Sequence, residues 1–444
     1  MSISSNLLYG VNDKPPVLMT ILAGLQHTFV MSSTLILPVV IISEIGGTHA
    51  QIQSVVSFTM IAAGLTTIIQ FIRGPVGSGY LLPYLSGVPY FSASMKAAWI
   101  GGLPLLAGMS MIAGLFESVL SRLMRKLRFL FPAEVTGVVV LMVGVALIPL
   151  GASNFMGLET DEALFEIPHV LLGVATLAIM VILNIWGSGS LRVYCVFIGM
   201  VVGYIAAYMS GIMTDLDVSR LGDVSWFAFP KMQHASIKFD WGLMAPFLIA
   251  GLCSSLKSVG DMITCQKIND DDWKEPDMKS ISNGLLAGGI GTFLSGAMGG
   301  LGVGSSSSNV GVSAATGATS RYIGIAAGGL FIAFACFPKI TALFALMPKP
   351  VMGAILIFVT CYMITAGIQI LMTVDMTIQK IFIIGISIIF GLSVDILPNL
   401  WDYVPSGIKP IFSSSMTLST ILAILLTQFF LVGDFIKRKL TKAE

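Results

Sequence analysis

Apolar runs of about twenty residues recur from near the N-terminus almost to the C-terminus, and they constrain the fold of this chain more than any other feature. Each run is long enough to cross a hydrocarbon layer about 30 Å thick. Backbone N–H and C=O groups inside a bilayer must find partners within the protein, which favours helices as the spanning form. Only 11% of the residues are charged. The sequence therefore predicts an all-α, multi-pass membrane protein without a sizeable soluble domain.

The breaks between the apolar runs delimit twelve full crossings. They lie near residues 17–44, 50–72, 103–122, 132–151, 167–187, 191–214, 243–263, 281–298, 321–346, 350–372, 378–398 and 413–436. The first run has neither the basic segment nor the small-residue cleavage site of a secretory signal, and it is too long for one. We expect it to remain in the mature protein.

Two further regions, 74–100 and 299–319, are apolar but too broken to be ordinary crossings. The first begins Gly-Pro-Val-Gly-Ser-Gly, and the second begins Gly-Gly-Leu-Gly-Val-Gly followed by four serines. Irregular backbone at membrane depth persists only where protein or water satisfies its polar groups. Each region is therefore predicted to be a short extended piece followed by a half-helix that lines a cavity.

Counted with these two regions, the chain has 14 segments, and the broken ones are the third and the tenth. That spacing predicts two inverted seven-segment repeats, with the binding site of a transporter at the broken segments. Loop lysines and arginines fall mainly on one side of this topology, with Lys339 and Lys349 as exceptions. The positive-inside rule then places both termini in the cytoplasm and the protein in the cell membrane.

Lys257 is the charge that stands out, because it lies in the middle of the apolar stretch 243–263. A lysine at the centre of a membrane helix costs roughly 2.5 to 3.5 kcal/mol and usually faces a cavity or a partner. Asp261 follows four residues later, on the same helical face. The two residues either form a structural ion pair or act directly on a substrate or coupling ion.

Short motifs along most of the chain are shared with one transporter family. They are Gln26-His27, Gly260-Asp261, Asn-x-Gly-x-x-x-x-Thr-Gly at 309–317, Ser320-Arg321, Met347-Pro348 with Gly353, and Ala366-Gly367-Ile368. In these residues the chain resembles the nucleobase-ascorbate transporters, which include uracil, xanthine and urate permeases. The resemblance implies a 14-segment inverted-repeat fold, a core domain moving against a gate domain, a homodimer, and cation-coupled uptake of purines, pyrimidines or ascorbate.

The resemblance also implies domain boundaries. Segments 1–4 (residues 1–128) and 8–11 (residues 241–347) would form the core domain. Segments 5–7 (residues 129–240) and 12–14 (residues 348–444) would form the gate domain, with a cytoplasmic tail.

Two departures from the family pattern bear on the substrate. Lys257 stands where the family has a glutamate, and Ser308 stands where its tenth-segment motif opens with glutamate, glutamine or proline. An ammonium group donates hydrogen bonds but cannot accept them from ring N–H groups. We therefore expect an anionic or carbonyl-rich substrate, such as urate, xanthine or orotate. The alternatives are an ascorbate-like acid, or an uncoupled anion channel on the same scaffold.

The expected site combines these charges with the two half-helices, whose N-termini favour anions. An aromatic ring after Gly87 is retained to stack on a planar ligand. Whether His27 lies at the site or is a core histidine stays open. The residues predicted to bind substrate are Lys257, Ser307, Ser308, Asn309, Tyr90 and Phe91, and those predicted to act in coupling or support are Asp261, His27, Gln26 and Thr316.

The remaining expectations concern partners and chemistry. The coupling ion is either H⁺ or Na⁺, and the serine run from Ser305 is a hinge, a substrate-binding strand or a sodium site. No cofactor, metal ion or nucleic-acid partner is expected, and five scattered cysteines give no disulfide framework or zinc spacing. Nothing in the spans suggests an enzyme. Glu117 and Asn184 also interrupt apolar spans and are expected to form hydrogen bonds between helices.

Overall fold

The computed structural model describes residues 7–127, 130, 132–158, 166–187, 195–213, 224–233, 236–270, 272, 274, 276–401, 403–404, 412 and 414–441. The helices are α1 (Val17–Ser32), α2 (Ile36–Glu44), α3 (His49–Gln70), α4 (Phe91–Leu127), α5 (Ala133–Val145), α6 (Ile148–Phe155), α7 (Ile167–Trp186), α8 (Cys195–Met209), α9 (Met244–Asn269), α10 (Met278–Ala297), α11 (Ser307–Thr316), α12 (Arg321–Ala335), α13 (Pro338–Ala345), α14 (Lys349–Met372), α15 (Ile378–Ile396) and α16 (Ser415–Thr441). Two short strands, β1 (Tyr84–Ser86) and β2 (Val303–Ser305), and short 3₁₀ turns complete the described elements.

Helices with the length and composition of membrane spans dominate the fold. Within the described ranges, nine helical stretches are long and apolar enough to cross a bilayer, and α8 and α12 are shorter apolar helices. Their bounds lie close to those of eleven of the twelve expected crossings, and the other expected crossing, 281–298, corresponds to α10, which is not among these helices. The prediction of a mostly helical, multi-pass membrane protein is confirmed.

Both broken regions contain the extended piece and half-helix expected from the sequence. β1 leads through a 3₁₀ turn at Val88–Tyr90 into α4, and β2 leads into α11. Gly102 (φ 65°, ψ −158°) interrupts α4, so a short half-helix before it is separate from the long crossing after it. A positive φ of this kind is tolerated by glycine at little cost.

The two extended pieces pair with each other, which the sequence did not predict. β1 and β2 are antiparallel, with Leu85 opposite Gly304. Their pairing joins regions more than two hundred residues apart in the chain, so no local pattern indicates it. The start of each half-helix is thereby fixed next to the other in the middle of the protein.

Hydroxyl groups of the flanking helices satisfy the backbone of the extended region. On α3, Thr67 Oγ1 accepts from Tyr84 N at 2.9 Å, and Thr59 Oγ1 accepts from Leu301 N at 2.8 Å. From α10, Thr292 Oγ1 donates to the Val303 carbonyl at 3.1 Å. These contacts supply the hydrogen bonds that water would supply outside a membrane. They therefore allow non-helical backbone at this depth.

Helices α4 and α10 pack closely because both carry glycine at their contact. A Cβ atom at Gly114 would lie 2.3 Å from the backbone nitrogen of Phe293, and one at Gly289 would lie 2.6 Å from the backbone nitrogen of Ser118. Small residues of this kind let helix backbones approach in membranes. The contact between α4 and α10 stabilises the part of the protein that contains β1 and β2.

Substituting Gly114→Leu is expected to lower the free energy of unfolding by about 1–3 kcal/mol, because the new side chain meets backbone that cannot move aside. Gly329→Leu is the matched control, since a Cβ there meets no atom within 4 Å. Thermal unfolding of the detergent-solubilised variants measures the difference. Equal stability of the two would contradict the tight α4–α10 contact.

Candidate functional site

Lys257 and Asp261 lie on α9 where that helix passes β2. Lys257 Nζ donates to Asp261 Oδ2 at 3.1 Å and to the carbonyl oxygen of Ser305 at 2.6 Å. The expected pairing of the two side chains is thus present, and the lysine also ties α9 to the end of β2. An ammonium group has three N–H donors, and these contacts use two of them.

Serine hydroxyls complete the surroundings of the carboxylate. Ser305 Oγ donates to Asp261 Oδ2 at 2.5 Å, and Ser258 Oγ donates to Ser305 Oγ at 3.0 Å. Asp261 is 7% exposed. A charge at this depth is tolerated only with a partner and hydrogen bonds, and Asp261 has both. Ser258 was not predicted as a site residue, and the contact of Ser305 with Asp261 was not predicted either, because only the fold brings Ser305 next to α9.

Exposed residues of α9 and α11 lie next to the ammonium group, and we call the surface that they form with it the open cleft: Lys257 and Gly260 on α9, and Ser307, Ser308 and Gly311 on α11. The two serines and both glycines are exposed, and a Cβ at either glycine would meet no atom within 4 Å. The Lys257 side chain is 14% exposed. The structure therefore brings three of the predicted substrate residues, Lys257, Ser307 and Ser308, to one exposed surface.

Asn309 and His27 lie behind this cleft and hold the half-helix in place. Asn309 is fully buried, and its Oδ1 is 2.7 Å from His27 Nδ1. Because an amide oxygen only accepts, this contact assigns the proton to Nδ1 of the histidine. Asn309 Nδ2 also donates to Ser306 Oγ at 2.9 Å. In this arrangement both side chains fix α11 relative to α1.

The spacing Asn-x-Gly-x-x-x-x-Thr-Gly corresponds to the two ends of α11. Ser306 caps the helix by accepting from Asn309 N at 3.3 Å, and Thr316 Oγ1 donates to the Val312 carbonyl at 2.9 Å in the last turn. Gly317 ends the helix in the left-handed conformation, with φ 64°. Glycine is favoured at such a C-terminal position. Thr316 is thus at the far end of the half-helix from Lys257, and Gln26 lies half-buried beside His27 on α1.

Tyr90 and Phe91 lie where β1 leads into α4, and both are buried. Tyr90 is fully buried, and its ring fills the space over Gly87 and Gly302, where an added Cβ would come within 2.7 Å of it. Phe91 is 4% exposed. The structure does not bring these two rings to the open cleft, and their contact with a ligand stays a prediction.

Curated relatives match over almost the full chain. The xanthine permease XanP of Escherichia coli is 28% identical, with 96% of this chain and 95% of the relative aligned. The uric acid permease PucJ of Bacillus subtilis is 27% identical, with 95% and 94% aligned. The chain is similar to both over nearly its full length.

Solved structures share the fold at low sequence identity. The transmembrane domain of BicA, a bicarbonate transporter of a cyanobacterium, superposes with a TM-score of 0.57 at 14% identity. The match covers 94% of this chain and 99% of that domain. The helical arrangement is therefore that of a known membrane-transporter fold.

A family model described as a permease family, Xan_ur_permease, matches residues 18–400. That range contains all of α1 but its first residue, both paired strands, the Lys257–Asp261 pair and α11, so the match includes the whole of the candidate site. The resemblance expected from the sequence motifs is confirmed, and the chain belongs to this family of xanthine and uracil permeases.

Proposed function

We propose that this permease takes up a small, planar, carbonyl-rich or anionic heterocycle, of which xanthine and urate are the best candidates, by cation-coupled alternating access. The observation that carries the proposal is the Lys257 ammonium at the edge of the open cleft, with two donors used inside the protein. The xanthine and uric acid permeases among its relatives support the choice of an oxidised purine.

The chemistry of Lys257 distinguishes among ligands. Its third N–H donor needs an acceptor, which the carbonyl oxygen of an oxidised purine or an anionic oxygen provides. An exocyclic amino group, as in adenine, offers donors where xanthine and urate carry a carbonyl oxygen, and it would face the ammonium unfavourably. Asp261 neutralises the lysine, so a ligand oxygen gains from the ammonium without requiring a full negative charge.

The N-terminus of α11 supplies the second part of the proposed binding site. The backbone N–H groups of Ser307 and Ser308 belong to the first helical turn, which has no acceptor within its own helix. Together with the positive end of the helix dipole, they favour oxygen atoms of a ligand lying beside Lys257. Asn309 and His27 keep this helix end in position.

Movement of one domain against the other would expose the site alternately to the two sides of the membrane. The proposed core domain comprises α1–α4 and α9–α13 with both strands, and the proposed gate domain comprises α5–α8 and α14–α16. We further propose 14 segments in two inverted repeats, a homodimer in the cell membrane, and cytoplasmic termini.

Asn309→Ala is expected to weaken xanthine binding about tenfold, because the loss of its hydrogen bonds to His27 and Ser306 frees the start of α11. Ser313→Ala is the matched control on the same buried face, where the hydroxyl only bonds back to the Asn309 carbonyl at 3.2 Å. Equilibrium binding of radiolabelled xanthine to the purified variants measures the effect. Equal affinity of both variants would contradict the proposed support of α11.

A thermal-shift panel on the purified protein tests the substrate class, because a ligand that binds the native state raises its apparent melting temperature. Xanthine and urate are expected to stabilise the protein, and adenine is not. Stabilisation by ascorbate alone, or by adenine as strongly as by xanthine, would remove the basis for the proposal. Stabilisation by orotate but not by the purines would replace the purine with a carboxylated pyrimidine.

A further inference from the structure

Glu117 is a buried carboxyl group away from the open cleft. It lies in the long part of α4, is 3% exposed, and its Cγ is 3.3 Å from the position that a Cβ at Gly251 of α9 would take. Among the carboxylate oxygens of the described residues, its Oε2 is the one that is buried without a hydrogen-bond partner. An ionised carboxylate at such a position is costly, so Glu117 is poised to bind a proton.

Hydroxyl groups surround Glu117. They belong to Tyr90, which precedes α4, to Ser254 and Ser255 on α9, and to Thr292 on α10. The hydroxyl oxygens of Tyr90 and Ser255 are themselves buried without a hydrogen-bond partner. The sequence expectation of a hydrogen bond between helices is thus not met at Oε2. Instead, the carboxyl group lies in a polar pocket formed by these hydroxyl groups. No cation is among the described groups named here that face it.

The titratable and charged groups around this pocket are few. Tyr90 faces Glu117 directly, and Tyr84 on β1 lies within electrostatic range of both Glu117 and Asp261. Lys257 is held by Asp261 and by the Ser305 carbonyl. Among the described residues, no lysine or arginine forms an ion pair or a hydrogen bond with Glu117 Oε2.

Hydroxyl groups also lie between Glu117 and the Lys257–Asp261 pair. The Tyr84 hydroxyl lies near Ser258 and is buried without a hydrogen-bond partner, and Ser258 Oγ donates to Ser305 Oγ at 3.0 Å. Ser305 Oγ donates in turn to Asp261 Oδ2 at 2.5 Å. Ser254 and Ser258 are one turn apart on the buried face of α9. A change in the charge of Glu117 therefore acts on the pair that binds the ligand through a short, buried, polar route.

We propose that Glu117 is the proton-binding group that couples substrate uptake to H⁺, an inference that rests on the proposed transport function. One proton binds the carboxylate to give the neutral acid when substrate is bound, and the same proton leaves to the other side of the membrane. The other candidate groups are engaged: Asp261 is paired with Lys257 and Ser305, and His27 Nδ1 is bonded to Asn309.

The test compares Glu117→Gln, which mimics the protonated acid, with wild type and with Glu134→Gln. Glu134 is also a buried glutamate, but it lies at the start of α5, outside the pocket. In proteoliposomes, Glu117→Gln is expected to keep xanthine exchange while losing accumulation driven by a pH gradient, by about tenfold or more. Glu134→Gln is expected to accumulate xanthine as wild type does.

Accumulation by Glu117→Gln at the wild-type level, or wild-type accumulation driven by a Na⁺ gradient and not by a pH gradient, would overturn the proposal. A second readout needs no substrate. The pH-difference infrared spectra of the purified wild-type protein are expected to show a protonated carboxyl band. This band is expected to be missing in Glu117→Gln and shifted in the milder variant Ser255→Ala. The same band in wild type and Glu117→Gln would also overturn it. Absence of xanthine binding and exchange in wild type would instead contradict the proposed function, so the two failures are distinguishable.

Discussion

Replacing Lys257 by methionine and Asp261 by asparagine together is expected to weaken xanthine binding about 10- to 150-fold, the equivalent of a charged hydrogen bond worth about 1.5–3 kcal/mol. The double substitution removes the ammonium without leaving a buried carboxylate unpaired. Lys257→Met alone would strand Asp261 and is expected to destabilise the protein by about 3–5 kcal/mol in addition. Equilibrium binding and thermal unfolding of the three proteins separate the two effects.

Lys274→Met is the control for loss of a positive charge, because Lys274 is exposed in the loop between α9 and α10. It is expected to bind xanthine as wild type does. Lys257→Glu is expected to shift preference toward neutral bases, since a carboxylate accepts from ring N–H groups. If the double variant binds xanthine with wild-type affinity, Lys257 does not contact the ligand and serves only as the partner of Asp261.

Filling the open cleft with Gly311→Trp is expected to abolish xanthine binding and uptake while leaving the melting temperature near that of wild type. A side chain at Gly311 starts in space free of atoms within 4 Å, so the indole occupies the cleft without forcing the helices apart. An indole covers an area similar to that of a purine. Uptake in cells and ligand binding by the purified protein measure the effect.

Two controls accompany this substitution. Gly311→Ala is expected to be active, because its single methyl group leaves most of the cleft open. Gly385→Trp places an indole on α15, where a Cβ also meets no atom within 4 Å, and tests whether an added tryptophan harms the protein by itself. Normal uptake by Gly311→Trp would show that the substrate binds elsewhere.

Much of the fold is predictable from the sequence, because the lengths of the apolar runs and the positions of the breaks in them determine the helices. The crossings follow from apolar runs, and the two half-helices follow from glycine, proline and serine in regions otherwise suited to span a bilayer. The Lys257–Asp261 contact also follows from sequence, since residues four apart share a helical face. These features depend on residues that are close together in the chain, so they can be predicted from the sequence.

The remaining features depend on contacts between distant segments. Pairing of Leu85 with Gly304, and the contact of Ser305 with Asp261, require the two halves of the chain to be assembled. The same holds for Tyr90, whose ring lies against Gly302 rather than at the cleft. Glu117 was interpreted as a helix-bonding residue, because nothing in its neighbourhood along α4 reveals the hydroxyls that α9 and α10 bring to it.

Counterflow of radiolabelled xanthine into proteoliposomes that contain the purified protein and are preloaded with unlabelled xanthine tests the central claim most directly. The claim is that this permease binds an oxidised purine at the Lys257 cleft and carries it by alternating access. It predicts transient accumulation of the label above equilibrium, saturable, competed by urate and not by adenine. Flux that follows an imposed membrane potential without such accumulation, or no flux of xanthine at all, would contradict it.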